Sequence, residues 1–460
     1  MSSTRFPANL VPPRRVLLSL LMATALTGCA TTPFVARAPD LANSFSVAAP
    51  ARTAQAPWFQ SFQDRRLDEL ILRALARNLS IQEALAVIDE AEAGTQLARA
   101  SDFPTLRAGG AAVRGDPDAI GRVSDSTSAT LSTSWMLDLF GANRANRAAA
   151  VAELEAAQIS EEVARRAVTA AVSSAYIDLR FFQESIALTR QSVASRKETL
   201  DLTRSMLELG QANRLDVLQA EQAVAQAEAN LPSLQIGFDQ SLNRLATLTA
   251  SRTAELRPML QRGSAQPVAR FRPSVGVPAE VIRARPDVQV AERQLASAAA
   301  RIGVAEAAFW PSVTLSGTIT PTDIKGGGSL TSWSIGPQIS LPIFTGGANK
   351  ARLKAAEARA QQAETRWRAS VLDAIEEVEN GLSAYNRGAA NVVAQRRLVA
   401  SAQETVSLAR EIYRSGQSTF FTVLDAERNL LSARAALASA VRDHAAGYVA
   451  VSVAAAAPLG

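Results

Sequence analysis

The chain has 460 residues, 47% of them hydrophobic and 20% charged, with a formal net charge of +5 and one cysteine, which excludes an internal disulfide. Three arginines lie in the N-terminal leader, so the rest of the chain carries 45 basic against 43 acidic residues. That balance, with the two signs interleaved and no block of five like charges, excludes a nucleic-acid-binding role and indicates solvated helix surfaces.

The first 28 residues have the pattern of a secretory signal peptide. A basic segment precedes an apolar run over 16–26, which is too short to span a membrane as a mature helix. The text Leu26-Thr27-Gly28-Cys29 then resembles a bacterial lipobox, which would make Cys29 the lipid-modified N-terminus of the mature protein. Ala30, rather than an aspartate, follows it, which in such signals is consistent with delivery to the outer membrane. The alternative is a stray thiol in an ordinary signal peptide.

The next segments predict an arm, a helix and two strands. Residues 29–66 contain four prolines and predict an extended arm, and a helix is predicted over 67–101. The stretch Thr105–Arg114 is a weak strand because two glycines interrupt it. Ser128–Leu139 is stronger, because serine and threonine alternate there with apolar residues.

A long helical hairpin follows the strands. From Asn143 to Leu209 there is no proline and no glycine, so the sequence predicts one unbroken helix about 100 Å long. Gly210 turns the chain back, and Asn213–Leu248 predicts a returning helix with an apolar seam of coiled-coil spacing. Pro232 should kink that helix.

The sequence then repeats the same pattern of predicted elements. After an irregular connection over 251–285 with several prolines, the sequence predicts a helix, two strands and a second long hairpin. The two copies align with an offset of about 206 residues, since Gly416 repeats Gly210. The predicted elements of the second copy are a helix over Pro286–Ala308, strands over Ser312–Thr320 and Ser332–Ile343, a helix over Ala348–Ser415 and a return over Thr419–Ala456.

The strands favour a membrane location. Strict alternation over roughly ten residues is typical of a strand with one lipid face and one water-filled face. Aromatic residues cluster where the strands meet the helices, as an interfacial girdle would require: Phe103, Phe140, Phe309, Trp310 and Phe344. A small soluble sheet with one wet face is the alternative interpretation.

The number of strands indicates an oligomer. Four strands cannot close a barrel, and open strand edges are costly in lipid, so several copies of the chain must contribute to one barrel. Twelve strands from a trimer leave a passage that suits the serine and threonine faces, whereas eight from a dimer do not.

Together the duplicated plan, the text Tyr413-Arg414-Ser415-Gly416 continuing to Thr422–Ala426, and the lipobox resemble the TolC-type outer-membrane factors, in their nodulation-protein-T-like lipoprotein branch. The resemblance covers nearly all of the mature chain. It implies a mainly α fold with membrane β: a homotrimer whose twelve-stranded β-barrel is continued by a twelve-helix tunnel in the periplasm. It also implies two partners, a periplasmic adaptor and an inner-membrane pump that expels small molecules.

The resemblance assigns residues to two sites. It places a periplasmic constriction at Phe421 and Asp425, with Arg428 one turn further on. Three copies of Asp425 would form an acidic ring that favours cations. The alternatives are that Asp425 is a solvated or helix-capping acid and Arg428 an exposed surface residue. The hairpin turns would dock the adaptor, through Leu209, Gly210 and Gln211 in the first copy and Ser415, Gly416 and Gln417 in the second.

The sequence offers no catalytic motif. The only histidine, His444, is interpreted as a surface residue, and Gly326-Gly327-Gly328 as a flexible loop between strands. We expect no enzyme activity, no metal, and no cofactor other than covalent lipid on Cys29. A periplasmic adaptor or scaffold lipoprotein without a channel is the rival interpretation. The predicted division is a signal peptide at 1–28, an arm at 29–66, a first repeat at 67–250, a connection at 251–285, a second repeat at 286–456 and a tail at 457–460.

Overall fold

Residues 43–47, 56–115 and 123–459 are described in the computed structural model of the chain. The predicted signal peptide, Cys29 and most of the arm therefore lie outside the described residues. The rest forms two units. One contains the four described strands with the helix ends that adjoin them, and the other contains the remaining helical segments and the connection between the repeats.

The first repeat begins after a short 3₁₀ helix, Trp58–Phe62, and contains two strands and five helices. In chain order these are α1 (Arg65–Arg77), α2 (Leu79–Ala100), β1 (Thr105–Gly115), β2 (Ser124–Leu137), α3 (Ala142–Glu208), α4 (Arg214–Ala229) and α5 (Leu231–Leu248). The predicted outgoing helix is confirmed as α3, which runs 67 residues without interruption.

The second repeat follows two short helices and has the same order. Its elements are α6 (Thr253–Leu260), α7 (Pro278–Ala284), α8 (Pro286–Ala307), β3 (Ser312–Ile324), β4 (Gly328–Ser340), α9 (Ala348–Arg414) and α10 (Phe420–Ala454). The outgoing helix α9 again has 67 residues. The prediction that the whole connection is irregular was wrong at its two ends, where α6 and α7 form.

The break at Pro232 is confirmed. The returning segment of the first hairpin divides at Asn230, and Pro232 lies in the first turn of α5, where its missing N–H costs nothing. The second hairpin has no proline in its return, and α10 is continuous over 35 residues.

The predicted single helix over 67–101 was wrong. The helix breaks at Asn78, whose backbone is extended (ψ 133°). The buried Asn78 side chain is bound to another helix, because its Nδ2 donates at 2.8 Å to the carbonyl of Leu248, the last residue of α5. The second repeat breaks at the equivalent Arg285, whose Nη1 donates at 3.0 Å to the carbonyl of Ala454, the last residue of α10. Each break thus caps the C-terminal end of a returning helix.

A second repeated contact joins the helices that flank each strand pair. The amide of Asn143 donates to the carbonyl of Ser101 at 2.9 Å, and that of Asn349 donates to the carbonyl of Ala308 at 2.6 Å. Both asparagines are buried. The chain therefore enters and leaves each strand pair at a fixed point.

The four strands form one antiparallel sheet in the order β1-β2-β3-β4. The strand predictions were right in number and face and differed at the ends. β2 begins at Ser124, and β4 occupies Gly328–Ser340 rather than Ser332–Ile343. Leu341-Pro342 follows β4, and proline cannot donate to a strand ladder.

The largest apolar core lies in the unit that contains the connection. It brings together side chains of the 3₁₀ helix, α1, α3, α5, α6 and α10. The N-terminal segment is fixed there by backbone bonds, from Trp58 N to Pro458 O at 3.1 Å and from Arg270 N to Ser61 O at 2.9 Å. Its largest fully buried residue is Tyr176, whose hydroxyl donates at 2.6 Å to Asp64, the N-cap of α1.

Candidate functional site

The register of the sheet sorts its side chains onto a polar and an apolar face. One cross-strand row contains Ser132, Thr318 and Ser334, and the Thr318 and Ser334 hydroxyls are 3.0 Å apart. The adjacent row on the other face contains Leu131, Ile319 and Trp333, all of them exposed. Both faces of this sheet are thus accessible in the protomer, and only one of them suits water.

Both edges of the sheet are open among the residues that the structure describes. β1 and β4 are the outer strands, with 11 and 13 residues, and each pairs on one side only. An edge of this length presents a row of unpaired backbone N–H and C=O groups. The protomer therefore offers two long strand edges to another chain.

Aromatic side chains gather at the helix-proximal ends of the strands. Phe140 and Trp310 stack with ring centroids 5.5 Å apart, and the indole of Trp135 donates to the carbonyl of Asp102 at 2.9 Å. Phe344 is the most exposed of these rings, at 90%. Large exposed rings suit an interface between water and lipid, and the girdle stays a prediction.

The two hairpin turns are built in the same way. Gly210 has φ 72° and Gly416 has φ 73°, a conformation that other residues adopt only with strain. Each follows its helix with a Schellman pair of bonds. In the second turn these run from Gln417 N to Ile412 O at 2.9 Å and from Gly416 N to Tyr413 O at 3.0 Å. All six predicted docking residues of the two turns are exposed: Leu209, Gly210, Gln211, Ser415, Gly416 and Gln417.

The acids near the two turns have different structural roles. Asp216 accepts from Asn213 N at 3.0 Å while Asn213 Oδ1 accepts from Asp216 N, which is a capping box at the start of α4. Asp425 takes no part in capping α10. With an offset of 206, its equivalent in the first repeat is Gln219, so only the second hairpin carries an acid at this position.

The three residues predicted to form a constriction share one face of α10. Asp425 accepts from Arg428 Nη2 at 2.6 Å and from Asn429 Nδ2 at 3.1 Å. Phe421 lies one turn before Asp425 and is 65% exposed. The structure thus joins Asp425 and Arg428 directly and leaves Phe421 and the Arg428 side chain projecting from the helix.

A buried ion pair behind this face was missed from the sequence. Glu427 is 7% exposed and accepts from Arg410 Nη2 at 2.6 Å and from Thr199 Oγ1 at 2.8 Å. Arg410 also donates to Ser195 Oγ at 2.5 Å, so the cluster joins α9 and α10 to α3. The internal repeat contains the signal, since Arg204 and Glu221 hold the same two positions in the first hairpin and are 2.8 Å apart.

His444 is not the surface residue that the sequence predicted. Its ring stacks on Tyr385 with centroids 4.8 Å apart, and burial lowers the pKa of the imidazole below its ordinary value. Gly388 of α9 gives it room, because a Cβ there would approach the Cα of His444 within 3.3 Å. The residue is a packing element between two helices.

The described residues offer neither a cluster for a metal ion nor a membrane-spanning helix. Among residues 43–47, 56–115 and 123–459, no group of three or more histidine, cysteine or acidic side chains could hold a metal ion. Within the same ranges, every helix is too short or too polar to cross a membrane. Cys29, the predicted lipidation site, lies outside the described residues.

Two copies of a strand pair followed by a long helical hairpin, with a sheet that has one polar and one apolar face, define a channel-type protomer. The family model described as "Outer membrane efflux protein" matches residues 70–251 and 277–455. The chain belongs to this family and is an outer-membrane protein. The family is one of efflux channels and not of enzymes.

Individual relatives support the same assignment. The chain is 38% identical over 408 residues to a nodulation protein T of Rhizobium leguminosarum bv. trifolii, with 86% of each chain covered. It is 34% identical over 449 residues to the antibiotic efflux pump outer membrane protein ArpC of Pseudomonas putida, covering 92% and 91%. The solved structure of the outer-membrane channel OprN superposes with a TM-score of 0.85 at 30% identity, over 93% of this chain and 99% of that one. The resemblance to TolC-type outer-membrane factors is confirmed.

Proposed function

We propose that the protein is the outer-membrane exit duct of a tripartite efflux system, a homotrimer that passively conducts small molecules. An inner-membrane pump delivers them through a periplasmic adaptor. In this proposal three sheets close a twelve-stranded barrel, and twelve helical segments continue it into the periplasm. Lipid on Cys29 anchors each chain. The duct itself has no catalytic role and no cofactor, and the domain division proposed from the sequence is retained.

The observation that carries this proposal is the sheet with two open edges and two unlike faces. In hydrocarbon an unpaired backbone group costs several kcal/mol, so a membrane sheet cannot keep the open edges of β1 and β4. Pairing β4 of one chain with β1 of the next closes the sheet without any rearrangement within the chain. The apolar row of Leu131, Ile319 and Trp333 would then face lipid and the hydroxyl row would face water.

The exposed end of the second hairpin supports a constriction. Phe421, Asp425 and Arg428 project from α10 just after the turn, and no other part of the described chain covers Phe421 or Arg428. Around a threefold axis they would form a bulky, charged ring that closes the periplasmic end. The two exposed turns nearby would receive the adaptor.

The channel is tested by mass measurement and single-channel recording on the purified protein. We expect a trimer mass in detergent and unitary currents in planar bilayers. The matched control is Cys29→Ser, which removes the anchor and should still require detergent, because the sheet remains lipid-facing. A Cys29→Ser protein that is monomeric and soluble without detergent would refute the duct and favour an adaptor-like scaffold.

The partners are tested in cells by photo-cross-linking at Gln211 and Gln417, followed by mass spectrometry. Both positions lie at the turns, so we expect cross-links to a periplasmic adaptor. A cross-linker at the exposed Glu357, far along α9 from the turn, serves as control and should give none. Equal capture at the turns and at Glu357 would contradict docking at the hairpin turns.

A further inference from the structure

Arg107 is the one charged residue on the polar face of the described strands. The register sets it opposite Ser132, in the same cross-strand row as Thr318 and Ser334. The next row on that face pairs Thr130 with Thr320, whose hydroxyls are 3.3 Å apart. A guanidinium therefore stands among neutral hydroxyl groups.

The other charges of the strands lie elsewhere. Arg114, Asp125 and Asp323 alternate onto the opposite face, near the turns that connect the strands. Two of them form an ion pair, since Arg114 lies 3.6 Å from Asp125, and Lys325 lies 3.8 Å from the same carboxylate. Arg107 has no ion pair within the described part of the chain, and it lies seven residues, about 23 Å, from Arg114.

We propose that Arg107 forms a threefold cationic ring in the lumen and makes this part of the duct favour anionic solutes. The inference rests on the proposed trimer, in which three copies of one strand position lie at one level of the barrel. Rings of like charge set the ion preference of a pore, and a guanidinium stays charged at every physiological pH. The ring acts over about one Debye length, roughly 8–10 Å, so it selects solutes locally.

Its sign is opposite to that proposed for the Asp425 ring at the other end of the duct. The ion selectivity of the whole channel would combine the effects of both rings, so the test has to measure the electrostatic potential beside Arg107 itself. The variant Ser132→Cys does so, because position 132 lies directly opposite Arg107. The sequence offers a clean background because its only cysteine is Cys29, the predicted lipidation site.

The experiment compares the rates at which Ser132→Cys, in outer-membrane vesicles, reacts with a negatively and a positively charged methanethiosulfonate of similar size. Relative to the ratio for a free thiol, we expect the anionic reagent to be favoured roughly tenfold at low ionic strength, because one unit charge about 6 Å away in water changes the two rates about threefold in opposite directions. Adding Arg107→Gln should bring the ratio to that of a free thiol, Arg107→Glu should invert it, and Arg107→Lys should keep it. Arg114→Gln, on the opposite face, should leave it unchanged. Any change in thiolate fraction affects both reagents equally and cancels in the ratio.

A ratio of labelling rates that Arg107→Glu leaves unchanged would refute the proposed cationic ring. Leu131→Cys separates this result from failure of the duct, because its side chain lies on the apolar face and should resist both water-soluble reagents. Equal labelling at positions 131 and 132 would refute the lumen assignment and with it the proposed channel. If Ser132→Cys fails to assemble, Thr130→Cys reports on the same face one row away and is read in the same way.

Discussion

Arg410 Nη2 lies 2.6 Å from Glu427 Oε1 between the outgoing and returning helices of the second hairpin, and the carboxylate of this ion pair is buried. In the first hairpin the equivalent pair, Arg204 and Glu221, is at 2.8 Å but half exposed. The two repeats therefore contain the same interaction in two environments. The buried copy also accepts a hydrogen bond from Thr199 of α3, so it links the first hairpin to the second just behind the proposed constriction.

Removing the buried acid should be far more costly than removing the exposed one. Glu427→Ala leaves the partly buried Arg410 without its carboxylate partner, and we expect a loss of about 2–3 kcal/mol in unfolding free energy. Glu221→Ala is the matched control and should cost less than about 1 kcal/mol. Thermal unfolding in detergent measures both. Replacing the whole pair with Arg410→Met and Glu427→Leu should recover much of the loss; equal effects of the two alanine variants would contradict the importance of burial.

Glycine allows α9 and α10 to approach closely. A Cβ at Gly381 would lie 2.9 Å from the Cα of Val451, and backbone cannot move aside as a side chain can. We expect Gly381→Ala to destabilise the protein by about 1–3 kcal/mol through overpacking. Gly94, also inside a helix, has open space around its Cβ position, so Gly94→Ala should be neutral or stabilising by up to about 1 kcal/mol. The melting temperatures of the two variants check this, and a harmless Gly381→Ala would show that the helices can separate.

The sequence predicted what depends on local chemistry. Both 67-residue helices, the turn at each glycine and the break at Pro232 follow from which residues permit or forbid a helix. The break at Arg285 was predicted, because Pro286 follows it and disfavours a helical conformation at the residue before it. The break at Asn78 could not be predicted, because its neighbours favour continued helix. What holds Asn78 outside the helix is a hydrogen bond to the carbonyl of Leu248, which lies 170 residues further along the chain.

The same distinction applies to the candidate site. The turn residues and the exposed face of α10 follow from the repeat and the family resemblance. The burial of Glu427 does not, since its first-repeat equivalent Glu221 is half exposed and the local sequence of α10 does not say which face meets α3. His444 was misplaced for a similar reason: the glycine that makes room for it, Gly388, belongs to another helix.

Acid should destabilise the protein through His444. Burial holds the folded-state pKa of its imidazole below the ordinary value of 6.5, so the unfolded chain binds a proton more readily. Stability from this group is therefore complete above pH 6.5 and is lost as the pH falls below it, until the folded-state pKa is passed. We expect the difference in melting temperature between the wild type and His444→Gln to shrink or reverse between about pH 7.5 and 5. Since this is the only histidine, a difference that stays constant over that range would exclude the effect.

The two acids near the hairpin turns should separate conduction from stability. Asp425 caps no helix and pairs with the exposed Arg428, so Asp425→Ala should raise single-channel conductance and weaken block by trivalent cations, if three copies line the aperture. Asp216 belongs to the capping box of α4, so Asp216→Ala should cost about 1 kcal/mol of stability and leave conductance and block unchanged. Bilayer recordings and melting curves on both variants decide the assignment. If Asp216→Ala opened the channel and Asp425→Ala did not, the aperture would belong to the first hairpin, because only there would the lost charge have faced the axis.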